Sequence, residues 1–278
     1  MLFEFSDDVL GQIRDAQSSR SYLHLPKAVG KGLEAFHPSR LLNALFRHLN
    51  PQRVMQLAKR GEPIAAQNFV SEGFVDGALL QRHLNDGAAL LLIGLQEWVE
   101  GLATPVKELA NALQLDVSVN AYVGGPQSRG FLEHVDHHDV VVVQIEGEKE
   151  WTLWEPTLGE PLELPRHQQG QPKEFLSSIR LGRGDLLFVP RGIWHVARGL
   201  EGSGTAHLSF GLQPLTALHW LSAMRTQLID ELIWRRDIPA ETSEREVWLK
   251  DLQRSILKEF TLERLEQYLM HRAERFKK

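Results

Sequence analysis

Cysteine is absent from the 278 residues of the chain. Disulfide bridges, zinc–thiolate sites, cysteine-ligated iron–sulfur clusters and cysteine nucleophiles are therefore excluded together. The absence of cysteine is compatible with a reducing compartment, and we expect a cytoplasmic location. Residues 1–8 contain neither a basic stretch nor a long apolar stretch, so they do not resemble a signal peptide.

Long apolar runs and an excess of positive charge are also missing. The longest apolar run lies near residues 88–95, whereas a helix that crosses a bilayer needs about 20 apolar residues. The net charge is −5, and proteins that bind nucleic acid usually present a basic surface. We therefore expect neither membrane insertion nor direct nucleic-acid binding. Phosphate-binding glycine loops, the Gly-x-Ser-x-Gly elbow and the His-Glu-x-x-His motif are absent as well.

Turn residues divide the middle of the chain into short segments of β character. Residues 140–145 are rich in valine, and residues 117–123 alternate between apolar and polar side chains. Further strands are predicted at residues 151–154, 185–189 and 206–212. Short strands separated by glycine and proline are typical of an antiparallel barrel or sandwich.

Helical patterns flank this β region. Residues 38–49 carry a rough apolar face, and Thr104 and Pro105 are the predicted N-cap and first residue of a helix that ends at Leu113. After the last predicted strand, the pattern is helical to the end of the chain.

Two cap signals support this helical tail. Ser243 and Glu246 form a predicted capping box, and Thr261 is the predicted N-cap of a last helix. We therefore divide the chain into a β-rich domain with a mixed N-terminal extension, residues 1–213, and a helical region, residues 214–278.

The helical region has a large apolar face that predicts a homodimer interface. The alternative is that these helices fold back on their own barrel. The residues of this face are Leu218, Leu221, Leu228, Leu232 and Trp234.

Metal-binding residue types first occur together in a His-x-Asp tripeptide, His134 and Asp136. On a strand, positions i and i+2 project from the same face, so both side chains can hold one ion. A second His-x-Asp, His137 and Asp139, lies directly beside it. Either pair also fits a solvated polar loop, and we interpret His137 and His138 as groups at a pocket rim or in solvent.

A second, more specific element has the spacing Gly184-x5-Pro190-x-Gly192-x2-His195. It describes a strand, a tight turn and a return strand, which would position His195 at the mouth of a barrel. The competing interpretation is that His195 is an ordinary packing residue. Two histidines and one carboxylate form the facial triad of non-haem iron(II) oxygenases. The sequence therefore predicts a metal site with the ligands His134, Asp136 and His195.

The runs 120–122, 130–140 and 144–151 resemble the JmjC-type cupins of the ribosomal-oxygenase group. The second element resembles the second cupin motif, although Gly199 stands where that motif usually has asparagine. The similarity extends over about residues 87–212. It implies a mainly β fold with flanking helices, a double-stranded β-helix of the cupin type, and it favours the first His-x-Asp over the second.

The resemblance implies iron(II), 2-oxoglutarate and dioxygen as reactants, with hydroxylation as the outcome. The cation that binds 2-oxoglutarate in this family lies fifteen residues after the first histidine ligand, at the position of Lys149. Other family positions around the cosubstrate fall on Tyr122, Asn120 and Ser209. Three of these residues also have a plain structural interpretation: Lys149 as a solvated turn lysine, Tyr122 as a core aromatic residue and Asn120 as a strand-end turn residue. We interpret His207 as a packed core histidine.

The resemblance also implies a protein or peptide substrate, with ribosomal proteins among the candidates. Two alternatives stay open: the same chemistry on a small molecule, and a non-catalytic cupin that binds metal. Lys149 argues against the last, because a plain binding cupin has no need of a buried cation there. The polar segment 157–174 has no regular pattern, and we expect it to border the iron site and to contact substrate.

Overall fold

The computed structural model describes residues 3–48, 50–162, 171–200, 202 and 204–276. The chain divides into two compact units, Met1–Pro214 and Leu215–Lys278. Among the described residues, the strands and the first four α-helices belong to the first unit, and the last three α-helices belong to the second.

The elements are numbered in chain order. The helices are α1 Asp7–Ser18, α2 Pro38–Phe46, α3 Gly77–Asn85, α4 Ala103–Leu113, α5 Ala217–Leu228, α6 Thr242–Glu259 and α7 Leu262–Phe276. The strands are β1 Leu23–Leu25, β2 Met55–Lys59, β3 Glu62–Ile64, β4 Val70–Ser71, β5 Phe74–Val75, β6 Ala89–Leu92, β7 Asp116–Gly124, β8 Asp139–Glu146, β9 Lys149–Trp154, β10 Phe175–Leu181, β11 Leu186–Val189, β12 Trp194–Gly199 and β13 Thr205–Gln213.

Two antiparallel sheets form the body of the first unit. The large sheet has the strand order β1-β11-β8-β13-β7-β6-β2-β3, and the small sheet has the order β10-β9-β12. The sheets share an apolar cluster that includes Val142 of β8 and Leu153 of β9. The other face of the large sheet packs against helices, with Val143, Ile13 and Leu109 in one cluster. This arrangement confirms the predicted double-stranded β-helix.

The position of β8 explains the valine run that predicted it. The strand lies inside the large sheet, between β11 and β13. Val140 and Val142 pack in the cluster shared with the small sheet, whereas Val141 and Val143 pack in the cluster that contains the helices. A strand that is buried on both faces needs apolar residues at every position, so its sequence does not alternate.

The predicted start of α4 is wrong by two residues. The helix begins at Ala103, so Thr104 and Pro105 both lie in its first turn, and Thr104 is not the N-cap. Proline is tolerated throughout a first turn, because the N–H groups there have no intrahelical acceptor. α2 ends at Phe46, and Leu49, which the sequence placed in this helix, lies outside the described residues.

The caps of the tail helices are partly as predicted. α6 begins at Thr242 with Glu241 at the N-cap and no side-chain cap, so the predicted capping box at Ser243 is wrong. Thr261 does cap α7, because its Oγ1 accepts the backbone N–H of Arg264 at 3.2 Å. Local sequence fixes a helix end only to within one or two residues.

Candidate metal centre

The structure brings His134, Asp136 and His195 together. One potential ligand atom from each residue lies within 4.8 Å of the other two. The Nε2 atom of His195 is 3.5 Å from Oδ2 of Asp136, and the Nε2 atom of His134 is 3.9 Å from Oδ1. Two imidazole nitrogens and one carboxylate therefore converge on a single point, which is the donor set of a facial triad.

Backbone hydrogen bonds fix the two histidines to each other. The N–H of His134 donates to the carbonyl of His195 at 3.1 Å, and the N–H of His195 donates back at 2.9 Å. The carbonyl of Asp136 accepts the N–H of Gly192 at 3.0 Å. Gly192 has a φ of +88°, and a Cβ there would lie 2.9 Å from Pro161. The glycine of the cupin turn is thus required both by its conformation and by its close packing.

Each ligand ring is oriented by its own chain. Nδ1 of His134 lies 2.8 Å from the carbonyl of Leu132, and Nδ1 of His195 lies 3.0 Å from the carbonyl of Ile193. A carbonyl can only accept, so in both rings Nδ1 carries the hydrogen and donates it. The lone pair of Nε2 is then available to a metal ion, which is the usual arrangement of histidine ligands.

The environment sets the charges of these ligands. Burial, with a further contribution from His134, lowers the pKa of His195 to about 4, so this imidazole is neutral at neutral pH. Burial works to raise the pKa of Asp136, but the neighbouring His195 and His134 outweigh it and hold that pKa below its ordinary value. Metal ligands must be deprotonated, and both groups meet this condition without a metal.

Lys149 lies in the same cavity as the three ligands. It is the first residue of β9 and is 5% exposed, and its Nζ lies 2.7 Å from Nδ1 of His207 on β13. Burial lowers the pKa of Lys149 to about 7. Among the described residues, Lys149 has no carboxylate partner within ion-pair distance. A buried cation without a carboxylate is costly, so this position favours an anionic ligand.

Aromatic rings enclose His207 beside Lys149. The ring of Tyr122 stacks on His207 with centroids 4.8 Å apart, and Trp151 meets it edge-on at 5.4 Å. His207 is buried, as the interpretation of a packed core histidine requires. Sequence reasoning missed its hydrogen bond to Lys149, because that contact joins strands of different sheets.

The remaining predicted cosubstrate residues are placed differently. Tyr122 and Ser209 line the cavity with Lys149. Asn120, by contrast, does not line it, and its Oδ1 accepts the backbone N–H of Gly94 at 3.1 Å. The Asn120 side chain stabilises the turn that follows β6. Its contact with the cosubstrate stays a prediction.

The second His-x-Asp pair, His137 and Asp139, contributes to packing through Asp139. The Asp139 carboxylate accepts hydrogen bonds at 2.9 Å from the Arg20 guanidinium, the Gln17 amide and the Arg191 backbone. His137 is exposed. Among the described residues, this pair takes part in no cluster of potential metal ligands.

Only the beginning and the end of the polar segment 157–174 can be located. Thr157 Oγ1 accepts the indole N–H of Trp194 at 2.9 Å, and Glu160 pairs with Arg191 at 2.7 Å. The described part therefore packs beside the cupin turn and does not line the metal cavity. Residues 163–170 lie outside the described residues, so the predicted contact with substrate is untested.

The cavity is chemically suited to a metal ion and an organic anion. The ligand set consists of two imidazoles and a carboxylate, which iron(II) accepts with open positions left over. The indole N–H of Trp151 is buried and has no hydrogen-bond partner among the described residues, and Trp151 lines the cavity with Lys149. Lys149 and Trp151 thus both border the space beside the ligands and both carry hydrogen-bond donors.

Comparisons with known proteins agree with this geometry. Residues 102–219 match the family model of the JmjC domain. The chain is 29% identical over 154 residues to the bifunctional lysine-specific demethylase and histidyl-hydroxylase NO66 of Dictyostelium discoideum, a match that covers 51% of this chain and 30% of the relative. The protein of the same name from Drosophila persimilis is 30% identical over 132 residues, or 46% of this chain and 19% of the relative. The chain thus spans less than a third of these relatives.

Solved structures extend the likeness over most of the chain. The ribosomal oxygenase YcfD of Escherichia coli has a TM-score of 0.65 at 16% identity, with 96% of this chain and 71% of that chain covered. Its complex with cobalt and 2-oxoglutarate has a TM-score of 0.64 at 17% identity, with 98% and 72% covered. At such identities, the likeness shows the fold.

Within the described residues, no helix is both long and apolar enough to pass through a membrane. The matched family model covers strands β7 to β13, the cupin turn and the three convergent ligands. Residues 102–219 are therefore similar in sequence to the JmjC domain, and the chain is similar in fold to the ribosomal oxygenase structures.

Proposed function

We propose that this chain is an iron(II)- and 2-oxoglutarate-dependent dioxygenase that hydroxylates a side chain of a protein or peptide. The observation that carries the proposal is that three ligands and a buried lysine share one cavity. The names of the relatives support the reaction class, since they include histidyl-hydroxylases and a ribosomal oxygenase whose structure holds cobalt and 2-oxoglutarate.

His134, Asp136 and His195 would hold iron(II), which takes about six ligands, so that about three positions stay open. When bound, iron(II) with 2-oxoglutarate and dioxygen supplies the oxidising power that places one oxygen atom on a carbon of the substrate. The protein's part is to hold the ligands with Nε2 directed inward and to keep His195 neutral and Asp136 ionised.

Lys149 would pair the distal carboxylate of 2-oxoglutarate. Its Nζ keeps two hydrogens for the carboxylate after it donates one to His207. Tyr122 and Ser209 line the same cavity and would contribute hydroxyl groups, and the Trp151 indole N–H is available as a further donor. Charge-assisted hydrogen bonds in a dry cavity are stronger than neutral ones, so the lysine would contribute most of the selectivity for a dicarboxylate.

The substrate class is the less direct part of the proposal. Names of relatives with both a demethylase and a hydroxylase activity, and the name ribosomal oxygenase, all point to polypeptide substrates. We extend this to a ribosomal protein as a candidate partner. The cysteine-free sequence is consistent with a cytoplasmic enzyme.

We also propose that the second unit mediates a homodimer. Leu218 is 58% exposed and Leu232 is 53% exposed, and together they present apolar surface that a second copy would cover. Two members of the predicted apolar face do not contribute: Leu228 is buried within the chain, and Trp234 donates its N–H to Ser255. The proposed interface therefore rests on the exposed leucines.

The decisive experiment is turnover with iron(II), ascorbate and 2-oxoglutarate. Release of CO2 from 2-oxoglutarate, absent in Asp136→Ala, is the expected result for the enzyme class. No release would favour a non-catalytic cupin. Intact-mass analysis of ribosomal proteins before and after reaction should then show one added oxygen atom, whereas oxygen added only to free metabolites would establish the small-molecule alternative.

A further inference from the structure

Three arginines line a groove on the first unit, which we call the arginine groove. Arg60, Arg129 and Arg198 each border two adjoining depressions, with volumes of about 640 Å³ and about 270 Å³. Because the same three side chains line both, the depressions form one continuous surface feature.

The charges of this groove are only partly neutralised. Arg198 lies 3.6 Å from Glu133, and Lys59 lies 2.6 Å from Asp86. Arg60 and Arg129 are exposed, and within the described part of the chain neither guanidinium takes part in an ion pair or a hydrogen bond. The groove therefore offers two unpaired planar cations on a chain whose net charge is −5.

Arg60 occupies a backbone position that is unfavourable for arginine. It is the first residue of the tight turn between β2 and β3, where Lys59 pairs with Glu62, and its φ is +53°. Hairpin turns of this kind strongly prefer asparagine, aspartate or glycine at this place. The turn requires a positive φ but does not require an arginine, which suggests a function for the Arg60 side chain outside the turn.

The backbone also holds the two free arginines side by side. The N–H of Arg60 donates to the carbonyl of Arg129, and the N–H of Gly61 donates to the carbonyl of Gly130 at 2.9 Å. These two hydrogen bonds hold the turn against residues 129–130, which follow β7. Both guanidinium groups project into the same groove.

The groove adjoins the metal cavity. Phe131 lines both of them, and the next residue, Leu132, is 55% exposed at the groove. The carbonyl of Leu132 accepts the Nδ1 hydrogen of the ligand His134. A polypeptide that presents one side chain to the metal would therefore extend over Phe131 and Leu132 towards the arginines.

We propose that the arginine groove binds an acidic segment of the polypeptide substrate, next to the side chain that enters the metal cavity. The inference rests on the proposed function and specifies its substrate class. Isolated carboxylates suit the groove because guanidinium groups bind them in a bidentate way. A nucleic-acid backbone suits it less, because Glu133 and Glu150 also line the groove and would repel a continuous row of phosphates.

The test is a binding measurement that needs no turnover. Fluorescence anisotropy would compare a short labelled peptide of alternating glutamate and serine with its glutamine counterpart, and with labelled oligouridylate. The glutamate peptide should bind more tightly than both, and Arg60→Asn and Arg129→Gln should each weaken it by roughly tenfold. Asparagine suits the turn, so Arg60→Asn should unfold at the same temperature as the wild type or higher.

A matched control is Arg53→Gln, which removes an exposed arginine of the same unit that lines neither depression. It should bind the glutamate peptide as the wild type does. Equal affinity for the glutamate and glutamine peptides, preference for oligouridylate, or an equal loss in Arg53→Gln would each overturn the proposal. A chain that binds the peptide through Arg60 but releases no CO2 from 2-oxoglutarate would refute the proposed function and leave the groove intact.

Discussion

The ammonium group of Lys149 donates a hydrogen bond to Nδ1 of His207 over 2.7 Å, inside the cavity that holds the metal ligands. His207 can only accept this bond in its neutral form. Burial, followed by the proximity of Lys149, lowers the pKa of His207 well below its ordinary value, so the neutral form is stable. The pair therefore directs a lysine towards the cavity without neutralising its charge.

Lys149→Ala should weaken 2-oxoglutarate binding by about a hundredfold or more, because loss of one partner of a buried charge pair costs about 3–5 kcal/mol. Metal affinity should stay within a few-fold of the wild type, since Lys149 is not among the ligands. Calorimetry would measure the metal affinity by titration of Mn(II) into the metal-free protein. It would measure the 2-oxoglutarate affinity by titration into the Mn(II)-loaded protein. Lys31→Ala, at an exposed lysine, is the control, and unchanged cosubstrate affinity in Lys149→Ala would refute the role.

His207 should act as a positioning residue for Lys149. His207→Leu removes the acceptor, whereas His207→Asn places an amide oxygen near the former Nδ1. We expect 2-oxoglutarate affinity to fall about tenfold in the leucine variant and to recover in the asparagine variant. Pyruvate lacks the distal carboxylate, so its affinity should not change. An equal loss for both ligands would indicate a purely structural role.

Cosubstrate affinity should depend on pH around neutrality. The pKa of Lys149 is about 7 in the protein without an anion, so above that pH the lysine is neutral and binding must take up a proton. The dissociation constant should therefore rise with pH above 7, by up to about tenfold per unit. Tyr122, His207 and His195 face the same cavity, and burial keeps both histidines neutral over this range. Calorimetric titrations in buffers of different ionisation enthalpy would measure how many protons are taken up when 2-oxoglutarate binds. Lys149→Ala should abolish the pH dependence of the dissociation constant.

The two adjacent His-x-Asp pairs should respond in opposite ways. Asp136→Ala should abolish metal binding and turnover with little change in the free energy of unfolding. Asp139→Ala should keep metal binding but destabilise the fold by about 1–3 kcal/mol, because Arg20, Gln17 and the Arg191 N–H lose their acceptor. Metal binding by calorimetry and chemical unfolding would separate the two, and the reverse pattern would refute the ligand assignment.

Substitution of the exposed leucines in the second unit should produce monomers. The double variant Leu218→Glu/Leu232→Glu should elute with the single-chain mass of 31.6 kDa, and the wild type with twice that mass. Leu79→Glu, at an exposed leucine of the first unit, should remain dimeric. Light scattering that gives 31.6 kDa for the wild type at micromolar concentration would contradict the dimer.

The sequence predicted those parts of the molecule that local pattern determines. The valines of β8 mark a strand that is buried on both faces, and the spacing around Gly192 marks a turn that only glycine permits. The ligand positions follow from these elements, because the turn brings the start of β12 against His134.

Other parts depend on long-range pairing, which local pattern does not encode. The contact of Lys149 with His207 requires β9 and β13 to approach from different sheets, and 58 residues separate the two positions. Asn120 was predicted on its family position, but its side chain binds the turn at Gly94. Strand β10 was missed, since its two adjacent serines interrupt the apolar pattern.

The hydrogen bonds that hold His134 and His195 have a consequence for the identity of the metal. Each ring is fixed by a carbonyl of its own chain, and the two backbones are hydrogen-bonded to each other, so the two nitrogen donors are arranged before any ion arrives. A site with two nitrogens and one carboxylate accepts manganese, cobalt, nickel and iron. Their relative affinities follow their intrinsic order and are not set by the shape of the site. The choice of ion is then left to cellular supply, and protein isolated with the wrong metal would be correctly folded but would lack the proposed activity.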